Sequence, residues 1–165
     1  MAVIEKGSFE VISRSPGQTR RVGMRLGDHL EAGDVIGLEG NLGSGKTTFV
    51  QGLASGWGSL DPVSSPSYVL VNVYRRVDGG KLFHLDAYRL SGPDEAVDLD
   101  LISMMEQGPL VVEWADRIVG ALPSKNLWIK MKLISEQQRD FIIRADGTRH
   151  RQLLKTFREE IYGGV

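Results

Sequence analysis

The chain has 165 residues, of which 41% are hydrophobic and 25% are charged, with a formal net charge of −1 and no cysteine. The absence of cysteine excludes disulfides, zinc–thiolate sites and thiol catalysis, and the near-zero net charge gives no sign of a protein that binds nucleic acid unaided. Residues 1–9 lack the apolar core of a signal peptide, and no segment reaches the length of a membrane span. We therefore expect one cytoplasmic domain over residues 1–165.

Hydrophobic periodicity predicts alternating strands and helices without a long linker. The predicted elements, in chain order, are a strand over Phe9–Ile12, a helix over Thr19–Leu30 capped near Ser15 or Gln18, a strand over Val35–Leu38, a helix over Thr47–Ala54 ending near Gly56, hairpin strands over Tyr68–Tyr74 and Lys81–Asp86, a helical region over about Pro93–Glu106, a strand over Leu110–Val112, hairpin strands near Leu127–Leu133 and Arg139–Ile143, and a helix over Arg149–Tyr162. This order predicts an α/β fold whose mixed sheet has a parallel core, antiparallel marginal hairpins and flanking helices.

One segment between a predicted strand and a predicted helix fits the pattern G-x-x-x-x-G-K-[ST]. Its glycines allow successive backbone N–H groups to turn inward around a phosphate, while Lys46 supplies a charge for the β- and γ-phosphates and the Thr47 hydroxyl is suited to ligate Mg²⁺. This context predicts a P-loop NTPase-like fold that binds a nucleoside triphosphate. The candidate nucleotide-binding residues here are Gly40, Asn41, Leu42, Gly43, Ser44, Gly45, Lys46, Thr47 and the adjoining Thr48.

Two predicted strands end in an acidic residue. Glu113 follows the apolar run Leu110–Val112, and Asp86 ends the strand over Lys81–Asp86. The carboxyl ends of parallel strands share one edge of the sheet, where open α/β sheets bind their ligands. An Mg²⁺ bound to a triphosphate needs only one or two protein oxygens, so Thr47 and one of these acids suffice. The other acid is then free to orient the attacking water or to bind a metal-ligated water.

Four motifs together resemble the bacterial TsaE (YjeE) family, the small ATPase of tRNA threonylcarbamoyladenosine synthesis. They are the P-loop segment Gly40–Phe49, the segments Ser65–Val71 and His84–Leu90, and the tripeptide Val112–Trp114. Their order and spacing are those of the family, and the resemblance extends from Ser15 to about Arg139. The P-loop alone is common to many unrelated NTPases, whereas the four motifs jointly are specific.

The resemblance implies roles for individual residues of this chain. Thr47 and Glu113 would ligate Mg²⁺, and Asp86 would support hydrolysis. The loop Ser65–Tyr68 would act as a switch near the γ-phosphate. Ser67 stands in that loop where the family usually has threonine, so a hydroxyl is kept.

Two further positions are implied to contact nucleotide, and one position departs from the family pattern. Thr19 lies in the segment that resembles the family's approach to the nucleotide base, and Arg139 stands where a late-strand arginine contacts nucleotide. Ala115 replaces the proline that often follows the tryptophan, which affects the expected turn but not the acid at position 113.

The function implied by the resemblance is that of a slow, Mg²⁺-dependent ATPase required for threonylcarbamoylation of adenosine in tRNAs that read codons starting with adenine. TsaD with TsaB would perform the transfer from an intermediate made by TsaC. This chain would dock on the TsaB–TsaD complex and help to reset it, touching tRNA only indirectly or weakly and no membrane. Two alternatives stay open, a small-molecule kinase of the P-loop class and a non-enzymatic ATP-gated binding module. A GTPase is disfavoured because the chain has no Asn-Lys-x-Asp motif.

The sequence also supports expectations about three side chains near these motifs. We expect Lys46 to be a solvated charge without a packing role in the free protein. His84 is more typical of a packed or capping histidine than of a catalytic base. Trp114 either closes over the site or fills the core.

Overall fold

The computed structural model describes residues 7–64 and 71–162 of the chain. Within these residues the backbone forms a seven-stranded sheet. Its strands are β1 Phe9–Ser13, β2 Val35–Glu39, β3 Val71–Arg75, β4 Lys81–Asp86, β5 Leu110–Glu113, β6 Leu127–Leu133 and β7 Arg139–Ala145. The apolar runs of the sequence therefore locate the strands well.

The strands follow the spatial order β1-β7-β6-β2-β5-β4-β3. Strands β6, β2, β5 and β4 pair in parallel, whereas β1, β7 and β3 pair antiparallel at the margins. Parallel strands are covered on both faces, and every residue of Leu110–Glu113 is accordingly buried. The predicted fold class, an α/β P-loop NTPase-like mixed sheet with a parallel core and antiparallel marginal hairpins, is confirmed.

Helical segments cover both faces of the sheet. They are α1 Pro16–Gly27, α2 Lys46–Trp57, α3 Pro93–Val97, α4 Leu101–Gln107, α5 Thr148–Tyr162 and a 3₁₀ segment over Ala115–Ala121. On one face α1, α2 and α5 bury a core that includes Phe49 and Phe157. On the other face α3, α4 and the 3₁₀ segment pack against Phe83, Leu85 and Val112. The loop from β2 to α2 and the ends of β4 and β5 consequently open at one edge of a rigid sheet.

Helices α1 and α2 approach each other closely because each carries a pair of glycines at their contact. A Cβ on Gly56 would lie 2.0 Å from the Met24 carbonyl oxygen, so no larger residue fits. The prediction that Gly56 ends the second helix is therefore wrong, since α2 continues to Trp57 and Gly58, with a φ of 101°, terminates it. The four glycines are Gly23 and Gly27 on α1, and Gly52 and Gly56 on α2.

The helical region predicted over Pro93–Glu106 is divided into α3 and α4. Asp100, between them, has a left-handed φ of 52°, and its side chain accepts a hydrogen bond of 3.3 Å from the Ser103 backbone N–H. Aspartate tolerates this conformation because its short side chain forms such local bonds. The predicted cap of α1 is confirmed at Ser15, whose hydroxyl accepts from the Gln18 N–H at 3.1 Å.

Part of the sequence prediction lies outside the described residues. This applies to the loop Ser65–Tyr68 with Ser67, and to residues 68–70 of the strand predicted over Tyr68–Tyr74. Across residues 7–64 and 71–162, no helix combines the length and the apolar composition needed to span a membrane.

Candidate nucleotide-binding site

The glycine-rich loop connects the end of β2 to the first residue of α2. Gly43 and Gly45 have positive φ values of 79° and 100°, which is the region that favours glycine. Gly40 is required for a different reason, because a Cβ there would lie 2.6 Å from both the Met131 carbonyl oxygen and the Ser44 hydroxyl. The loop thus has the backbone freedom and the close packing that a phosphate cradle needs, with the α2 N-terminus directed at its centre.

The side chain of Lys46 is folded back into its own loop. Its ammonium group donates to the carbonyl oxygens of Gly40 at 2.5 Å and Asn41 at 2.9 Å. Lys46 is 6% exposed, so the expectation of a solvated charge without a packing role is wrong. Burial lowers the pKa of Lys46, while the negative charges of Glu113 and Asp86 act in the opposite direction. The two carbonyl oxygens accept hydrogen bonds from the ammonium group, as phosphate oxygens would.

Trp114 covers Lys46 at the end of β5. The Lys46 Nζ lies 4.1 Å from the centroid of the indole ring, a cation–π contact. The Tyr88 ring packs against Trp114 with centroids 4.9 Å apart, and the Arg117 guanidinium lies over both rings, 5.0 Å and 5.6 Å from their centroids. Trp114 has a left-handed φ of 56°. Trp114 also packs against the core beside β5, so both interpretations of this side chain hold in part.

Glu113 lies at the centre of the polar contacts. The Thr47 hydroxyl donates to Glu113 Oε1 at 3.0 Å, and the His84 Nε2 lies 2.5 Å from Glu113 Oε2. Glu113 is 3% exposed and His84 is fully buried. The P-loop threonine and the strand-end acid, 66 residues apart, are therefore in direct contact.

Asp86 stands beside Glu113, since the two residues are register partners in the parallel pairing of β4 with β5. One carboxylate oxygen of Asp86 accepts a hydrogen bond from the Tyr88 backbone N–H at 2.9 Å. Burial raises the pKa of Asp86 above its ordinary value, the hydrogen bond from Tyr88 opposes this, and the charge of Glu113 adds to it. The two acids predicted to share an edge of the sheet do so.

His84 connects Glu113 to the marginal strand β3. Its Nδ1 lies 2.8 Å from the Tyr74 hydroxyl, which also lies 3.4 Å from the Ser64 carbonyl oxygen. Sequence reasoning missed Tyr74 altogether and regarded His84 as a packing residue. Strand alternation was the available signal, because His84 and Asp86 are two residues apart on β4 and therefore share a face.

Thr19, predicted near the nucleotide base, and Arg139, predicted to contact nucleotide, lie together at the other flank of the loop. Thr19 shares a hydrogen bond of 2.7 Å with the Ser13 hydroxyl, and Arg139 donates to the Gly43 carbonyl oxygen at 2.9 Å. Thr19 and Arg139 line a cavity of about 50 Å³ together with Ser15, Gly45 and Thr48. Arg139 thereby braces the loop from outside.

A larger cavity of about 490 Å³ opens on the opposite flank of the loop. Gly40, Asn41, Trp114, Asp116 and the end of β6 line it. This space could not be predicted from the sequence, because its walls come from three separate segments. It is large enough for a small molecule.

The Thr47 hydroxyl and the Glu113 carboxylate suit Mg²⁺, which prefers hard oxygen ligands. Within the described part of the chain, no group of three or more His, Cys, Asp or Glu residues is arranged to hold a metal ion. A cation at Thr47 and Glu113 would therefore depend on phosphate oxygens and water for its remaining ligands. This is the usual situation of Mg²⁺ bound with a nucleotide.

A parallel-core sheet, a glycine-rich loop leading from β2 into α2, and acids at the ends of β4 and β5 define a P-loop NTPase-like protein. Comparison with known proteins is more specific. The family model described as "Threonylcarbamoyl adenosine biosynthesis protein TsaE" matches residues 13–141. The chain belongs to the TsaE family, and the resemblance inferred from the four motifs is confirmed.

Individual relatives agree with this assignment. Proteins named tRNA threonylcarbamoyladenosine biosynthesis protein TsaE are 43% identical in Streptomyces coelicolor, over 68% of this chain and 77% of the relative, and 37% identical in Bacillus subtilis, over 84% and 87%. A crystal structure of Bacillus subtilis YdiB matches with a TM-score of 0.75 and 29% identity, over 98% of this chain and 99% of that one. The structural match therefore extends beyond residues 13–141 of the family model to nearly the whole chain.

Proposed function

We propose that this chain is a Mg²⁺-dependent ATP-binding protein and slow ATPase required for threonylcarbamoylation of adenosine in tRNA. It would act in the cytoplasm with the TsaB–TsaD complex. The observation that carries the proposal is the 3.0 Å hydrogen bond between the Thr47 hydroxyl and Glu113. This contact brings the P-loop hydroxyl to a strand-end acid beside Lys46, within a chain of the TsaE family.

The loop residues bind the triphosphate in this proposal. The backbone N–H groups from Gly43 to Thr47 surround the phosphates, and the α2 N-terminus adds its partial positive charge. Lys46 exchanges the carbonyl oxygens of Gly40 and Asn41 for phosphate oxygens. Because those carbonyl contacts already hold the ammonium within the loop, little side-chain entropy remains to be lost on binding.

Mg²⁺ held by Thr47 and Glu113 would supply charge neutralisation for the phosphates. Asp86, adjacent to Glu113, is proposed to accept a hydrogen bond from the attacking water and so to orient it. Its raised pKa makes its carboxylate a better proton acceptor than an ordinary exposed aspartate. Thr19 and Arg139 flank the proposed position of the base, and Thr48 follows the loop on the same side.

The test of this function compares phosphate release with and without the TsaB–TsaD complex. We expect slow release by the chain alone, loss of release in Lys46→Ala, and a change in rate when the complex is added. Wild-type protein that binds no ATP analogue would contradict the proposal. ATP binding without any phosphate release, alone or with the complex, would instead support an ATP-gated binding module.

ATP is also proposed to control docking. The γ-phosphate can order a loop, and Ser65–Tyr68 is the segment that the family resemblance implicates. The form bound to an ATP analogue should bind TsaB–TsaD more tightly than the ADP form, and Ser67→Ala should reduce that difference. Calorimetry in saturating analogue and in ADP measures both affinities. Equal affinities would exclude a nucleotide switch at this step.

The cavity of about 490 Å³ beside Gly40 and Trp114 favours a second candidate, a small-molecule kinase. A kinase transfers the γ-phosphate to an acceptor, so ADP would form without an equal amount of free phosphate. Measuring ADP and phosphate in the same reaction distinguishes the two activities. Equal amounts of both products in the presence of a candidate acceptor would exclude phosphoryl transfer to that acceptor.

A further inference from the structure

We propose that His84, supported by Tyr74, is a positioning residue that fixes the orientation of the Glu113 carboxylate. The inference deepens the proposed function, because it rests on Glu113 acting at the nucleotide-bound cation. The geometry is a continuous line of three side chains from β5 through β4 to β3. Glu113 Oε2 lies 2.5 Å from His84 Nε2, and His84 Nδ1 lies 2.8 Å from the Tyr74 hydroxyl.

Both carboxylate oxygens of Glu113 have a defined partner. The Thr47 hydroxyl donates to Oε1, and His84 contacts Oε2. A threonine hydroxyl can present a lone pair to a cation and still donate its proton to an acid. The Oε1 contact is therefore compatible with a bound cation, while His84 holds the carboxylate from behind. Without His84, a carboxylate that is 3% exposed would lose one partner and be able to rotate.

Tyr74 determines which nitrogen of His84 carries the proton. Burial raises the pKa of the Tyr74 phenol, so the hydroxyl keeps its proton and is able to donate it. The contact from Tyr74 to His84 Nδ1, at 2.8 Å, is shorter than the one to the Ser64 carbonyl oxygen, at 3.4 Å. Nδ1 then accepts from Tyr74, and Nε2 carries the hydrogen that faces Glu113.

Any buried histidine needs hydrogen-bond partners, but those of His84 form a line that ends at the proposed metal ligand Glu113. His84 is fully buried in a strand of the core, and both of its ring nitrogens are used in a line that leads to Glu113. Hydrogen-bond partners of metal-ligating residues orient them, and their loss typically costs about 10- to 100-fold in metal affinity. The expected signature is therefore a change in the Mg²⁺ requirement rather than in nucleotide binding itself.

The chain contains a matched control. His29 lies 2.5 Å from Glu160 through its Nε2, the same distance as in the His84–Glu113 pair. His29 and Glu160 are surface-accessible, with 25% and 33% of their side chains exposed, and neither lines the nucleotide site. A His29→Leu variant therefore removes an equivalent histidine–carboxylate contact at a place where no effect on Mg²⁺ is expected.

The experiment titrates Mg²⁺ against binding of a fluorescent ATP analogue, with binding in excess chelator as the Mg²⁺-free reference. His84→Leu should raise the half-saturating Mg²⁺ concentration by about 10- to 100-fold and change Mg²⁺-free binding by less than about twofold. His84→Gln restores an N–H near the position of Nε2 and should recover most of the shift. Tyr74→Phe should give a smaller shift of about fivefold, and His29→Leu should give none.

A second readout needs neither nucleotide nor metal. Nuclear magnetic resonance of ¹⁵N-labelled histidine should find His84 with its proton on Nε2, and Glu113→Ala should move that resonance away from its hydrogen-bonded position. Finding the proton on Nδ1 alone would overturn the proposal. This measurement on the wild type decides the matter even where the leucine variant fails to fold.

The binding results separate this inference from the proposed function. Wild-type protein that binds no analogue would contradict the proposed function, while the resonance of His84 would still test the line of contacts. Normal Mg²⁺-dependent binding in the wild type, with equal Mg²⁺ requirements in His84→Leu and His29→Leu, would overturn only the positioning role. A glutamine variant no better than leucine would overturn it as well.

Discussion

Strand β2 has a buried carboxylate near each of its ends, and the two differ in their partners. Asp34 directly precedes β2 and is 1% exposed. It accepts hydrogen bonds of 3.0 Å and 2.8 Å from the Arg149 guanidinium and one of 2.8 Å from the Glu31 backbone N–H. Glu113 is paired in register with Leu38 near the other end and contacts a hydroxyl and an imidazole.

This difference distinguishes a structural acid from one that can take a ligand. Arginine is always charged and binds a carboxylate through two parallel hydrogen bonds. Asp34 is therefore occupied by Arg149 and not available to a ligand, and we call it the closed acid. A threonine hydroxyl is neutral, and its contact can be rearranged around a cation. Helix α5, which carries Arg149, thus anchors the sheet at the start of β2, which we call the closed end. At the other end of β2, the contacts of the polar groups can be replaced by contacts with a ligand, and we call this the exchangeable end.

Removing the closed acid should have the largest effect on stability. Asp34→Ala removes the nearer carboxylate partner of Arg149, which keeps the His29 carbonyl oxygen and the more distant Glu31. The variant should lower the free energy of unfolding by about 3 kcal/mol, at the low end for a buried pair because the Arg149 side chain is 38% exposed. Denaturant unfolding measures this loss. Asp78→Ala, which breaks an exposed pair with Arg76, should cost much less and serves as the control.

Nucleotide binding by the folded fraction of Asp34→Ala should remain at the wild-type level. The reason is that Asp34 lies at the edge of the sheet opposite the glycine-rich loop. A matching loss of stability and of nucleotide affinity would mean that the two ends of β2 are coupled, and the division between them would then be abandoned.

The next largest effect should follow from Lys46→Ala at the exchangeable end. Loss of a charge-assisted phosphate contact should weaken triphosphate binding by about 1.5–3 kcal/mol, or roughly ten- to a hundredfold. The fold should survive, because burying the ammonium has its own cost, as the lowered pKa indicates. Titration with a fluorescent ATP analogue tests this, with Lys81→Ala, at the exposed first residue of β4, as the control. Unchanged affinity in folded Lys46→Ala would contradict the P-loop assignment.

The two acids at the site edge should respond differently to removal. Glu113→Ala should weaken the Mg²⁺ dependence of nucleotide binding, because it removes a proposed metal ligand. Asp86→Ala should retain ATP binding and lose turnover, because its proposed role is confined to the hydrolysis step. Binding titrations at several Mg²⁺ concentrations and single-turnover hydrolysis give both quantities. The reverse pattern would exchange the two roles.

The sequence predicted the features that depend on local pattern. Apolar runs located the strands, and the spacing of Gly40, Lys46 and Thr47 identified the loop without knowledge of the sheet. The adjacency of Asp86 and Glu113 also followed, because parallel strands bring their carboxyl ends to one edge. These inferences need only the order of the elements.

Features that depend on packing between distant segments were not predictable in this way. Lys46 is buried because Trp114, in an unusual left-handed conformation, covers it. Gly56 continues a helix because the Met24 backbone fills the space that a side chain would need. Tyr74 reaches His84 only through the pairing of β3 with β4. Each case requires a three-dimensional neighbour that no local pattern specifies.

The smallest expected effect is a dependence of stability on pH that arises from Asp86. Burial raises the pKa of Asp86, so the folded protein favours its protonated form more than the unfolded chain does. The contribution of Asp86 to stability is therefore fully present below its ordinary pKa of about 3.9 and is lost as the pH rises through the raised value in the folded protein.

Asp86→Asn, which stays neutral, should consequently become more stable than the wild type as the pH rises, with a difference that levels off above the folded pKa. The effect should be small because Asp86 is only half-buried. Thermal unfolding of both proteins from about pH 3.5 to pH 8, without nucleotide or metal, measures it. Asp34→Asn is the matched comparison and should be less stable than the wild type at neutral pH, because an amide cannot accept both of the hydrogen bonds that Arg149 donates to Asp34. If both asparagine variants were stabilised alike, the two acids would not differ in kind, and the contrast between the closed and the exchangeable end of β2 would fail.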